Sequence, residues 1–147
     1  MEVVMDVEAL NAFLARDFPQ IDGQFRVERA DADGITARLL VNEGHLRPGG
    51  TVSGPSMFAL ADVSVYCAVL SRIGPVALTV TTNASIDFLR KPAAGKDLLA
   101  VCRLLKLGRS LAVADALIYS EGSDDPVARC SMTYSIPPER RVFSALK

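Results

Sequence analysis

The chain of 147 residues holds one histidine, His45, and no tryptophan. That scarcity excludes a metal site built from several imidazoles, and no Cys/His pair stands at zinc-ligand spacing. A Ser-His-Asp triad would have to draw on His45, which has no serine elbow of the G-x-S-x-G type near it. Cysteine is scarce too. Cys67, Cys102 and Cys130 are odd in number, far apart and set in apolar segments, the pattern of reduced core thiols rather than of a disulfide framework. An excess of basic charge is also missing, with 16 Lys and Arg against 17 Asp and Glu and a net charge of -1. No nucleic-acid partner is expected from that balance. Phosphate cradles of the G-x-G-x-x-G or G-x-x-x-x-G-K-[ST] kind are absent.

The N-terminal "MEVVMDVEAL" carries acids where a secretion signal would carry lysine or arginine. The longest apolar run, Pro55 to Leu70, is shorter than a bilayer span of about 20 residues and has Asp62 near its centre. The expectation is a cytoplasmic protein with no membrane partner.

What is present points to one globular domain over residues 1–147, since 50% of the side chains are hydrophobic and 22% charged, enough for a core and a solvated surface. In "VEALNAFLARDFP", Val7, Leu10, Leu14 and Phe18 fall at helical spacing, which predicts a helix over about 6–18 that stops before Pro19. "QFRVERADADGITARLLV" reads as a β-hairpin around a turn at Asp31 to Gly34. Ser53 or Gly54 can cap a helix whose first turn takes Pro55. From Pro55 to Ser71 its only formal charge is Asp62. A helix apolar all round must be enclosed, and the enclosure should be a sheet.

The second half supplies the strands. From Thr79 to Phe88 the sequence alternates, with Thr79, Thr81, Asn83, Ser85 and Asp87 on one face and Val80, Thr82, Ala84, Ile86 and Phe88 on the apolar one. "KDLLAVCRLLKL" is apolar on both faces and is turned back at Gly108 and Arg109 onto "SLAVADALIYS". The last strand, Val127 to Ile136, sends Ala128, Cys130, Met132, Tyr134 and Ile136 inward. The tail "PPERRVFSALK" has no clear period. Two short strands, one buried helix and four long antiparallel strands make an α+β domain with a sheet curled round the helix. A strand apolar on both faces calls for a second cover, most simply another copy of the chain.

Asp62 is the anomaly in this pattern. On a helix it shares a face with Phe58, Ala59, Val65, Tyr66 and Val69. A carboxylate there is costly unless paired or hydrogen-bonded. Either Tyr66, an arginine or backbone amides satisfy it, or it is held there for chemistry.

Together the motifs resemble the hotdog-fold thioesterases of the phenylacetic-acid-degradation type. In that family a loop N-x-x-G-x-x-H-G-G leads into the central helix, and L-A-D ends nine residues after the histidine. Here "ALAD" is Ala59 to Asp62, Ser53-Gly54-Pro55 stands at H-G-G, and Arg47 stands at the loop asparagine. "IDFLRKPAAGKDLLA" and "LLKLGRSLAVADALIY" are similar to the family's F-x-x-P-x-x-G strand turn and G-R hairpin. The resemblance covers about residues 24–136.

It implies a hotdog fold, an antiparallel sheet wrapped around a long central helix, and an acyl-CoA thioesterase activity. In those terms the Gly54 N–H polarises the thioester carbonyl and Asp62 acts as base or nucleophile. Eight residues at 1.5 Å rise separate the two by about 12 Å, too far for one carbonyl. The family's dimer interface then implies a site shared between protomers and an obligate homo-oligomer, dimer or tetramer. Coenzyme A enters as part of the substrate, with no separate cofactor or metal.

Further candidates follow. Arg47 would act on Asp62 or on a substrate phosphate or carboxylate. Thr82 lies near where the family's strand hydroxyl helps the acid, and Ser53 is a helix cap or a substrate contact. Tyr66 sits one turn beyond Asp62. Phe58, with Val65 and Phe88, would line an acyl tunnel, and Arg90, Lys91 and Arg109 would meet the phosphates of coenzyme A. The alternative function is a binding or regulatory hotdog module that holds an acyl-CoA without turnover. A hotdog dehydratase would need a catalytic histidine on the loop or helix, and His45 lies seventeen residues before Asp62.

Overall fold

A computed structural model describes residues 2–138. Helix α1 (Val7–Asp17) is followed by strands β1 (Phe25–Asp31) and β2 (Gly34–Leu39), the long helix α2 (Gly54–Ile73), and strands β3 (Val80–Phe88), β4 (Leu98–Leu107), β5 (Leu111–Ser120) and β6 (Pro126–Ser135). Short 3-10 turns cover Pro19–Ile21 and Glu43–His45. The tail from residue 139 onward lies outside the described residues.

The six strands form one antiparallel sheet in the order β1-β2-β4-β5-β6-β3, wrapped against α2. This is the α+β architecture expected from the sequence. Both helices begin on side-chain caps: Asp6 accepts the Ala9 N–H at 2.9 Å, and Ser53 accepts the Ser56 N–H at 3.3 Å. Gly74 ends α2 at φ 94°, a backbone that side chains disfavour. By length and composition α2 could cross a membrane, yet it packs on β2, β4, β5 and β6, with Leu60, Val65, Cys67, Val69 and Leu70 fully enclosed. Its buried hydroxyls turn back on the helix: Ser64 donates to the Ala61 carbonyl at 2.8 Å and Ser71 to that of Ala68 at 2.7 Å.

The inward face of β6 is as expected, with Ala128, Cys130, Met132, Tyr134 and Ile136 all buried. In β3 one half of the expectation is overturned. Thr81 pairs with Tyr134 and Asn83 with Thr133, so Thr82 is an extra residue, a β-bulge. The bulge inverts the alternation on its N-terminal side: Thr81 faces the helix and Thr82 is exposed. The β4–β5 turn also shifts by one residue, because the Gly108 N–H donates to the Leu111 carbonyl at 2.8 Å and leaves Arg109 and Ser110 as the two turn residues.

The two sheet edges are treated differently. At β1 the Asn11 side chain reaches from α1, accepting the Val27 N–H at 2.8 Å and donating to the Val27 carbonyl at 3.0 Å. That edge is blocked. Along β3 no described strand pairs on the outer side, and Val80, Phe88 and Leu89 are about half exposed (55%, 52% and 47%). A nine-residue strand left open, with apolar side chains along it, invites another strand.

Candidate active site

Asp62 lies on α2 where β3 and β6 cross it. The Thr81 hydroxyl donates to its Oδ1 at 2.5 Å. The Tyr134 hydroxyl donates to the same oxygen at 2.6 Å, with the Asp62 carbonyl oxygen 2.9 Å away. Both donors converge on Oδ1. No donor among the described residues bonds Oδ2, and that oxygen is not sealed from solvent. Burial, reinforced by the charge of Asp62, pushes the Tyr134 phenol well above its ordinary value, so it stays a donor across the physiological range.

The acid is thus satisfied by a strand hydroxyl and a tyrosine. Thr81, not Thr82, supplies the strand hydroxyl, because the bulge turns Thr82 away. Sequence alone places Tyr134 only in the core; the signal for a role is that it is the one hydroxyl on an otherwise apolar inward face of β6. Tyr66 instead donates to the Ala77 carbonyl at 2.9 Å, and burial pushes its phenol up to about 12. Its ring stands edge-on to Phe18, with centroids 6.0 Å apart.

At the start of α2 the backbone donors can be counted one by one. Pro55 has no N–H, the Ser56 N–H goes to Ser53 Oγ, and the Met57 N–H goes to the Ser53 carbonyl at 3.1 Å. The Gly54 N–H has no acceptor among the described residues. It is the open donor of the first turn, at the positive end of the helix dipole. A Cβ on Gly54 would meet Cζ of Phe88 at 3.2 Å, so the Phe88 ring lies beside Gly54.

The remaining candidates scatter. Ser53 is the helix cap. Arg47 is exposed in a turn closed by the Gly50 N–H on its carbonyl at 3.0 Å, and no bond joins it to Asp62 within the chain. Phe58 is partly buried against the core, Val65 is fully enclosed and Phe88 lies beside Gly54. Arg90 donates to the Pro126 carbonyl at 3.0 Å, Lys91 is exposed, and Arg109 occupies the β4–β5 turn. A cavity of about 540 Å³ does open beside Asp62, on the Ala59, Val63 and Tyr66 side of α2, walled by Phe18, Ile21 and Phe25.

His45 serves the loop. It is buried; the Asn42 N–H donates to Nδ1 at 3.0 Å, which leaves the proton on Nε2, 3.3 Å from Oε1 of Gln24. Its carbonyl accepts the Ser53 N–H at 2.8 Å, which fixes the approach to Gly54. Burial holds the imidazole below its ordinary value of 6.5. A depressed value means that stability is present above the unfolded-state value and is lost as pH falls below it. His45→Gln, which removes that titration, is expected to flatten the decline of Tm between about pH 7 and 5. Parallel Tm–pH curves for the two proteins would contradict this.

A family model of the thioesterase superfamily matches residues 49–127. The chain belongs to the thioesterase superfamily. A Pseudomonas aeruginosa protein named as an esterase is 31% identical over 127 residues, covering 84% of this chain and 92% of the relative. The crystal structure of a Silicibacter sp. TM1040 protein described as a thioesterase superposes with a TM-score of 0.88 at 63% identity, covering 94% of this chain and 96% of that one. The phenylacetic acid degradation protein PaaI of Thermus thermophilus, as an N33D mutant, superposes at 0.69 with 26% identity, covering 81% and 99%. The architecture is therefore the hotdog fold of the thioesterases, and the family and its named relatives support thioesterase function for this chain.

Proposed function

We propose that this thioesterase hydrolyses acyl-CoA at a site assembled from two protomers. The observation that carries the reading is the placement of its two working groups on one helix. Gly54 and Asp62 are eight residues apart on continuous α2, about 12 Å, and cannot act on one carbonyl within a chain. β3 runs antiparallel to α2, with Thr81 at Asp62 and Phe88 beside Gly54. If the open β3 edge pairs antiparallel with its own copy about its midpoint, Ala84, the Thr81 end of one strand comes opposite the Phe88 end of the other. The Asp62 end of one protomer then meets the Gly54 end of the other. Self-pairing of one exposed edge both protects it and completes the site.

The charges near the two ends suit a coenzyme A ester. Arg90 and Lys91 follow Phe88 at the Gly54 end. Arg109 lies at the other end, since the Ser110 carbonyl accepts the Ile136 N–H at 2.8 Å and Leu111 and Val80 both pair with Ser135. In the paired arrangement the three cations gather around one composite site, where phosphates would be met. The Gly54 N–H takes the thioester oxygen as charge develops on it. Oδ2 of Asp62 accepts a proton from water while that water's oxygen bonds to the acyl carbon; Thr81 and Tyr134 hold Oδ1 and fix the carboxylate's orientation. As the tetrahedral species collapses, the C–S bond breaks and the proton passes from Asp62 to the departing thiolate.

Thiol release from short, medium, long-chain and aryl acyl-CoAs tests the reading. Turnover on at least one class is expected. A folded protein inactive on all of them would overturn hydrolysis and favour the non-catalytic acyl-CoA-binding module.

A further inference from the structure

We propose that Thr79 is a specificity-determining residue, selecting acyl groups that carry a hydroxyl or oxo oxygen several bonds from the thioester carbon. The choice of ligand rests on the acyl-CoA reading; the assignment of the residue rests on its surroundings. Thr79 lines the cavity beside Asp62. It is only 3% exposed, and its Oγ1 is the one buried side-chain polar atom among the described residues with no hydrogen-bond partner.

A buried hydroxyl without a partner is destabilising, and a valine would fill the same volume without that cost. Retention of threonine here calls for a use. The backbone of Thr79 is held by its N–H on the Val76 carbonyl at 3.1 Å, so the residue is fixed and only its side chain turns. Oγ1 is sealed as it stands, so its use in recognition requires χ1 to turn by one staggered step toward the cavity that the residue lines.

The position sets a distance. Thr79 precedes Thr81, the ligand of Asp62, by two residues, about 7 Å of extended chain. With the reacting carbon level with Thr81, one hydrogen bond of about 2.8 Å leaves about 4 Å, so the oxygen it recognises is about three bonds beyond that carbon at about 1.3 Å of reach per bond. The walls around it, Phe18, Ile21, Phe25, Ala59 and Val63, take the apolar remainder of the acyl group. A threonine hydroxyl both donates and accepts, so it suits a hydroxyl or an oxo group.

The test compares hexanoyl-CoA with 3-hydroxyhexanoyl-CoA. Wild type is expected to prefer the hydroxylated ester by about tenfold in kcat/KM, and Thr79→Val to bring that ratio to about one. Thr79→Ser should keep the preference, and the Tm of Thr79→Val should equal or exceed wild type. An unchanged ratio in Thr79→Val would overturn the proposal. So would a lowered Tm, which would assign the hydroxyl a structural partner. If wild type hydrolyses neither ester, the hydrolase reading fails by itself. The same ratio, measured as Kd for the non-hydrolysable thioether analogues, then decides the role of Thr79.

Discussion

Asp62→Asn is expected to lower kcat for acyl-CoA hydrolysis by about 10²- to 10⁴-fold, or about 3–5 kcal/mol of barrier, with little change in Tm. The reasoning lies in how the two carboxylate oxygens are used. Oδ1 accepts from Thr81 and Tyr134, and an asparagine amide oxygen accepts from the same pair at the same place. Oδ2 has no donor among the described residues, and replacing it with NH₂ removes the group proposed to take the proton from water. Alanine is the poorer test, because it would leave the Tyr134 and Thr81 hydroxyls unpaired and add a stability cost to the kinetic one. Thiol release with thermal unfolding on the same preparations checks both halves. Wild-type turnover in a folded Asp62→Asn protein would remove Asp62 from the chemistry.

Gly54→Pro should cost about 10²- to 10³-fold in kcat, the loss expected on the proposed reading in which the Gly54 N–H is a preorganised oxyanion donor. Proline deletes the N–H and little else at this position. Ser53, the preceding residue, is already at φ −74° and ψ 157°, the extended backbone that a following proline requires. The amide bonds to no acceptor among the described residues, so no internal hydrogen bond is lost. The added ring meets the far end of the Phe88 side chain, which has to shift by only a few tenths of an ångström. Gly54→Ala is the control, since it adds the same Cβ and keeps the donor. If proline and alanine variants hydrolyse equally fast, the amide is not the oxyanion donor.

Much of this arrangement is legible without coordinates. A twenty-residue helix with one formal charge in its apolar body has to be wrapped, and the alternation of Val127 to Ile136 tells which face of β6 touches it. Gly54 and Asp62 stand out because a helix start and a lone carboxylate are local features. What stays hidden depends on pairing between segments far apart in sequence. The bulge at Thr82 arises from the register between β3 and β6, and threonines at 79, 81 and 82 fit either face. Tyr134 can be placed inward by its period, but its contact with an acid 72 residues away cannot. The cavity escapes the sequence for the same reason: it is closed by Phe18, Ile21 and Phe25, which reach it only once the N-terminal segment docks on α2. Arg47 likewise depends on the fold: motif spacing puts it at the loop asparagine, and within the chain it lies in an exposed turn with no bond to Asp62.

The shared site is the central claim, and complementation between two inactive variants tests it most directly. Gly54→Pro and Asp62→Asn chains, co-expressed and purified together, form mixed pairs in which one of the two junctions combines an intact Gly54 with an intact Asp62. With random pairing, about a quarter of the wild-type thiol release should return, although each variant alone has almost none. No recovery from verified mixed pairs would mean that both groups act within one chain, and the account of the site would be wrong.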